Sequence, residues 1–131
     1  MTSTAELFDL TGKVAVVTGG SRGLGRSMVL GLAAAGADVL VSSRKQEACE
    51  EVAALVTEET GRRAVAHACH VAKWGQVDAL AEAAYEAFGR VDVLVNNAGV
   101  DLAKRFELTT LEDWDRVVAI NQTGVFLGMR T

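Results

Sequence analysis

Lys13-Val14-Ala15-Val16-Val17-Thr18-Gly19-Gly20-Ser21-Arg22-Gly23-Leu24-Gly25 decides the fold of this chain. Its first five residues form a short apolar run rich in β-branched valine, the composition of a buried strand. Four glycines follow within seven residues. The pattern then turns helical over 24–35, with Leu24, Met28, Leu32 and Ala35 on one side and Gly36 as the stop. A strand that feeds a glycine-rich turn and then a helix gathers free backbone N–H groups and the positive end of the helix dipole at one point, and that point attracts phosphate. Glycine serves where the backbone turns sharply or where a ligand approaches without a Cβ in the way. Gly25 is placed to let the helix pack close to the strands. The spacing over 18–25 is Thr-Gly-x-x-x-Gly-x-Gly. It differs from the commoner Gly-x-Gly-x-x-Gly, and without a following Gly-Lys-Ser/Thr it is no P-loop. We read Thr18, Gly19, Ser21, Arg22, Gly23, Leu24 and Gly25 as the phosphate cradle of a dinucleotide.

Strand and helix patterns alternate after the cradle. Strands are predicted over 38–42, 64–68 and 91–95, and helices over 46–60 and 73–88, the latter with Val77, Leu80, Ala84 and Phe88 on one face. Crossovers of this length make strands parallel and place helices on both faces of the sheet. The expected fold is α/β, a Rossmann-like doubly wound parallel sheet of order 3-2-1-4, with later strands missing. A last helix is predicted from Thr109, with Thr109 and Glu112 at capping-box spacing and Leu111, Trp114, Val118 and Val125 at helical intervals. The chain contains no proline, no linker and no repeat, so residues 1–131 are expected to form one domain.

Composition narrows the function. The net charge is −4, which argues against a nucleic-acid partner. No apolar run is long enough to span a membrane, and the N-terminus lacks the pattern of a signal peptide, so the expected location is cytoplasmic. Cys49 and Cys69 make no disulfide framework. His67-Ala68-Cys69-His70 does not have zinc-ligand spacing, and no metal site is expected. Dinucleotide choice rests on the end of the second strand. A carboxylate there would hold the ribose 2′-OH of NAD. The segment instead reads Val41-Ser42-Ser43-Arg44-Lys45. Arg44 brings a charged fork and Ser43 a hydroxyl, both suited to a 2′-phosphate, and Arg22 is a second cation. NADP(H) is therefore favoured over NAD(H).

With Phe8-Asp9-Leu10-Thr11-Gly12-Lys13, the cradle, Asn96-Asn97-Ala98-Gly99 and Asn121 within Ala119-Ile120-Asn121-Gln122-Thr123-Gly124 all present, the chain resembles the short-chain dehydrogenase/reductase family from about residue 8 onward. The resemblance implies an oxidoreductase that exchanges a hydride between a nicotinamide and a small carbonyl or alcohol substrate. It implies that Asn97, Ala98 and Gly99 line the cofactor. Asn121 matches the family's active-site asparagine, which supports a proton-relay water and the catalytic lysine. It also implies that Val71 sits by the adenine, with His70 where family members usually carry Asp, and that the protein is a homo-oligomer, a dimer or tetramer. The family reaction needs a Ser, a Tyr and a Lys four positions after the Tyr; the lysine cation lowers the phenol pKa. The only tyrosine is Tyr85, expected to be a partly buried helix residue, and Gly89 stands four positions on. The chain is thus expected to be an N-terminal portion, inactive alone. The alternatives are a non-catalytic dinucleotide-binding module and a truncated product. Strand four is expected to present an exposed apolar edge, and the last helix an uncovered apolar face.

Overall fold

β1 (Val14–Thr18) is buried along its whole length, and its alternating side chains serve two layers. The computed structural model describes Met1 to Thr131. Ala15 and Val17 join Val39 and Val41 of β2 (Asp38–Ser42) against Val29 and Ala33 of α2 (Gly23–Ala34) and Cys49, Val52 and Val56 of α3 (Gln46–Thr60). Val16 and Leu40 face the other way, toward Val77, Leu80 and Ala84 of α4 (Trp74–Phe88) and Leu127 of α6 (Gly124–Arg130). Successive strand side chains point to opposite faces, so an unbroken apolar run is what a strand between two helix layers requires.

With β3 (Ala64–Ala66) and β4 (Val93–Val95), the sheet has four parallel strands in the order β3-β2-β1-β4, the doubly wound arrangement expected. β1 pairs with β2 from Val14 opposite Asp38 to Thr18 opposite Ser42, and with β4 from Ala15 opposite Val93 to Val17 opposite Val95. The chain runs outward from β1 to β3 and then crosses back to β4. The loops after β1 and β4 therefore diverge and leave a crevice at the carboxyl ends of the strands.

Several boundaries differ from the sequence reading. β3 ends at Ala66, not 68, although contact with β2 continues through His67 N–H to the Val41 carbonyl (3.1 Å) and Cys69 N–H to the Ser43 carbonyl (2.8 Å). β4 begins at Val93, not 91. Before it, Asp92 Oδ2 accepts from the Val14 N–H at 2.9 Å, and Arg90 together with this N–H holds the Asp92 carboxyl below the usual carboxylate range. A short helix, α1 (Thr4–Leu7), has a Ser3–Glu6 capping box that periodicity did not reveal.

The last helical region starts one residue later than expected. Thr110, not Thr109, caps α5 (Leu111–Val118): its Oγ1 accepts from the Asp113 N–H at 3.1 Å, and Asp113 Oδ2 accepts from the Thr110 N–H at 3.0 Å. Two threonines followed by Glu112 and Asp113 offered two registers. Thr109 instead closes a 3₁₀ turn, Phe106–Leu108. Lys104 binds the same Asp113, and the two sets of donors, the lysine first, pull its carboxyl down to about 2. Leu111 and Trp114 are exposed, as are Phe106 and Leu108 nearby. Tyr85 is more than half exposed, not partly buried as expected. Leu94 is the exposed residue of β4, which pairs on one side only. No helix is long and apolar enough to cross a membrane.

Candidate functional site

The ends of β1 and β4 are laced together by two side chains. Thr18 is buried, and its Oγ1 accepts from the N–H groups of Asn97 and Ala98, both at 3.1 Å, while it donates to the Val95 carbonyl at 3.3 Å. Asn97 returns the contact: its Nδ2 donates to the Thr18 and Gly19 carbonyls, each at 3.1 Å. This clasp leaves no room for a side chain at Gly19 or Gly25. A Cβ on Gly19, whose φ is +64°, would lie 2.9 Å from Asn97 Nδ2, and one on Gly25 would lie 2.5 Å from the same atom and overlap the Gly19 carbonyl. Arg22, the N-cap of α2, makes no side-chain cap, so the first N–H groups of the helix stay open.

These groups border a cleft of about 580 Å³ at the carboxyl ends of the strands. Gly19, Ser21, Arg22, Gly23, Leu24 and Gly25 form its floor on one side. Ser43, Arg44, His70 and Val71 wall one end, and Asn97, Ala98 and Gly99 the other. Thr18 lies beneath the cradle and does not line the cleft. A cleft of this size suits a small-molecule ligand. Its charge is one-sided: Arg22, Arg44 and Lys45 line it, and no Asp or Glu does. The chain's five ion pairs use Arg62, Arg90, Lys104, Arg105 and Arg130, which leaves the three cleft cations without a carboxylate partner. A cationic cleft on an acidic chain concentrates anions where the free N–H groups already point.

Ser43 Oγ sits 3.1 Å from the buried Cys49 thiol and 3.4 Å from the Lys45 N–H. His70 is held by its own backbone: its N–H donates to Gln76 Oε1 at 2.7 Å, and its Nδ1 accepts from the Ala72 N–H at 3.2 Å. Burial pushes the Cys69 thiol up to about 11, which disfavours the thiolate at neutral pH. No three His, Cys, Asp or Glu side chains converge.

Asn121 does not line the cleft but braces it. It lies in a π-helical turn, Ala119–Thr123, between α5 and α6. Its Oδ1 accepts from the Val100 N–H and its Nδ2 donates to the Val100 carbonyl, both at 2.8 Å. Both ends of the amide are thus committed to the backbone that follows Gly99. Lys45, Ala48, Cys69, Val100 and Ile120 also line the cleft and were not singled out from sequence. Lys45 was legible as the neighbour of Arg44. The others are ordinary apolar positions placed there by the fold. Replacing Thr18 with Val should remove the shared hydroxyl with little change in shape. It leaves two N–H groups without an acceptor, and urea unfolding should show a loss of about 1–3 kcal/mol.

Residues 13–131 match the short chain dehydrogenase family. The 3beta-hydroxysteroid dehydrogenase 1 of Eggerthella lenta is 43% identical over 122 residues, covering 93% of this chain and 47% of its own length. Two solved structures overlay closely. The L-sorbose reductase of Gluconobacter frateurii, complexed with NADPH and L-sorbose, has a TM-score of 0.89 and 32% identity, over 94% of this chain and 47% of its own. The 3-ketoacyl-(acyl-carrier-protein) reductase of Brucella melitensis, complexed with NADH, has a TM-score of 0.86 and 41% identity, over 93% of this chain and 49% of its own. The chain spans about half the length of the relatives it matches. A match over 13–131, on a β3-β2-β1-β4 sheet with a glycine cradle at its crevice, makes this chain a member of the short-chain dehydrogenase family.

Proposed function

We propose that residues 1–131 act as one NADP(H)-binding domain of an oxidoreductase that works on the alcohol or carbonyl group of a small molecule. The observation that carries this reading is the cleft itself. It combines side-chain-free close approach at Gly19 and Gly25, an uncapped helix N-terminus, and three cations with no carboxylate. The bound nicotinamide would supply the carbon that gives or takes a hydride. The cradle would hold the pyrophosphate at the start of α2. Asn97, Ala98 and Gly99, stiffened by Thr18 below and by Asn121 through Val100, would fix the nicotinamide end.

Relatives bind NADPH in one case and NADH in another, so the choice rests on this chain's own residues. Arg44 is exposed at the end of β2, free of any ion pair, and beside Lys45. Its planar guanidinium matches a 2′-phosphate, whereas nothing acidic stands ready to bind a ribose 2′-OH. Arg44→Asp should cut the preference for NADPH over NADH by about tenfold or more, the scale of a lost charge-assisted hydrogen bond, as read by titration with both nucleotides. An unchanged preference would refute the assignment.

The chain has no tyrosine with a lysine four positions on. Its lone tyrosine, Tyr85, lines a separate apolar hollow with Leu94 and Asn96. We therefore give these residues the cofactor role and assign the proton transfer to residues outside them. The purified 131-residue chain should bind NADPH without turning over a ketone. Sustained NADPH oxidation by it would show that the proton donor lies within these residues. Binding without turnover is also what a pure binding module would do, and a tyrosine–lysine pair encoded beyond Thr131 separates the two.

We also propose self-association. The exposed Leu111, Trp114, Phe106 and Leu108 put large apolar side chains on one region of the surface. Size-exclusion chromatography should give an apparent mass above the 13.8 kDa of one chain, rising with concentration. A sharp peak at the monomer mass across the range would count against it.

A further inference from the structure

The outer edge of the sheet is closed by one side chain. β3 lies at the end of the strand order and pairs with β2 alone. Past its last residue the chain keeps to β2 through alternate groups: His67 N–H donates to the Val41 carbonyl at 3.1 Å, and Cys69 N–H to the Ser43 carbonyl at 2.8 Å. The groups between them, the Ala66 carbonyl and the Ala68 N–H, belong to the outward side, where an edge strand leaves its backbone unpaired. Gln46 fills that place. Its Oε1 accepts from the Ala68 N–H at 2.7 Å, and its Nε2 donates to the Ala66 carbonyl at 3.1 Å. A backbone N–H can only donate and a carbonyl only accept, so one orientation of the amide serves both. Glu50 Oε1, one turn along α3, also accepts from Nε2, at 3.1 Å.

Gln46 is the first residue of α3 and stands two positions after Arg44. The turn that carries Arg44 has few ties of its own. Lys45, the N-cap of α3, makes no side-chain cap, and its N–H reaches Ser43 Oγ only at 3.4 Å. Neither Arg44 nor Lys45 enters an ion pair. Arg44 is exposed and lines the cleft, whereas Gln46 does not line it. The Gln46 amide thus ties the start of α3 to a sheet edge twenty residues on. The turn over 43–45 is pinned between the end of β2 and this bridge.

We propose that Gln46 is a positioning residue for the choice of dinucleotide: by fixing the start of α3 to the edge of β3, it holds the Arg44 guanidinium where a 2′-phosphate would lie. The proposal rests on the NADP(H) reading above and names what orients its key cation. Gln46 acts through Arg44 and not on the nucleotide. An exposed arginine loses side-chain freedom when it pairs with a phosphate. If the backbone it springs from is already fixed, less freedom remains to be lost, and the pairing is stronger. NADH lacks that phosphate and gains nothing from the preset position.

The test is equilibrium titration with NADPH and NADH of the parent, Gln46→Met, Arg44→Ala and the double variant. Methionine keeps a straight side chain and good helix propensity, and removes both amide groups. In Gln46→Met the preference for NADPH over NADH should fall about fivefold, the scale of one net hydrogen bond. In the Arg44→Ala background the same change should move it by less than about twofold. A merely structural role would weaken both nucleotides alike and leave the ratio in place. Gln46→Ala repeats the comparison should the first variant fail to fold, with circular dichroism as the check. A preference that the folded Gln46 variants leave unchanged, or lower equally with and without Arg44, overturns the proposal and leaves the NADP(H) reading intact. A preference unmoved by Arg44→Ala alone would overturn that reading instead, and failure of both nucleotides to bind would overturn the dinucleotide reading; this proposal falls with either.

Discussion

One buried hydroxyl ties the two halves of the crevice together. Thr18 Oγ1 receives the N–H groups of Asn97 and Ala98, while Asn97 receives nothing from Thr18 but gives its amide protons to the Thr18 and Gly19 carbonyls. The four bonds join the end of β1 to the loop after β4, two segments nearly eighty residues apart in sequence. Everything above depends on that closeness. Gly19 and Gly25 have no Cβ because the Asn97 amide occupies the space one would need. The helix that follows can start against the strand end only under that condition, and its open N–H groups then face the crevice instead of solvent at large.

The crevice is also where charge departs from the rest of the chain. A protein of net charge −4 places Arg22, Arg44 and Lys45 along it and no acid. Five cations elsewhere are paired with acids, among them Arg62 with Asp38, Arg90 with Asp92, and Arg130, which reaches Asp78 while lying over the Trp74 ring. A paired cation contributes little field at a distance, whereas an unpaired one in a walled cleft steers anions.

The far side of the crevice is braced differently. Asn121 spends its whole amide on the Val100 backbone, from a π-helical turn that interrupts an otherwise α-helical run. Asparagine is a poor residue for a helix interior, and a π turn is an uncommon geometry. Together they convert a helix side chain into a strut for the loop after Gly99. Gly124 and Gly128, beyond the turn, approach Val71 and Asn96, where a Cβ would lie 2.8 and 2.5 Å from the neighbouring side chains. The helix thus packs directly on the two segments that end at the crevice.

Much of this was legible in the residues alone. The apolar run at 14–17, the glycine spacing at 18–25 and the strand–helix alternation determine an α/β sheet with a glycine-rich turn at a helix start, because these are local properties: period, backbone freedom and helix polarity. The missing acid and the Arg at 44, on which the proposed preference for NADP(H) rests, are local features too. Which of two adjacent threonines caps α5 was not legible, because Thr109 and Thr110 have equivalent spacing to an acid and only packing selects the register. Nor was the place of Cys69, Val100 and Ile120 in the cleft, since an apolar side chain carries no mark of what it will line. The hydrogen bonds of Thr18, His70 and Asn121 join groups that only the folded chain brings together. Sequence determines what each residue is able to donate or accept; the tertiary structure decides which partner arrives, as when the Ala72 N–H reaches His70 Nδ1.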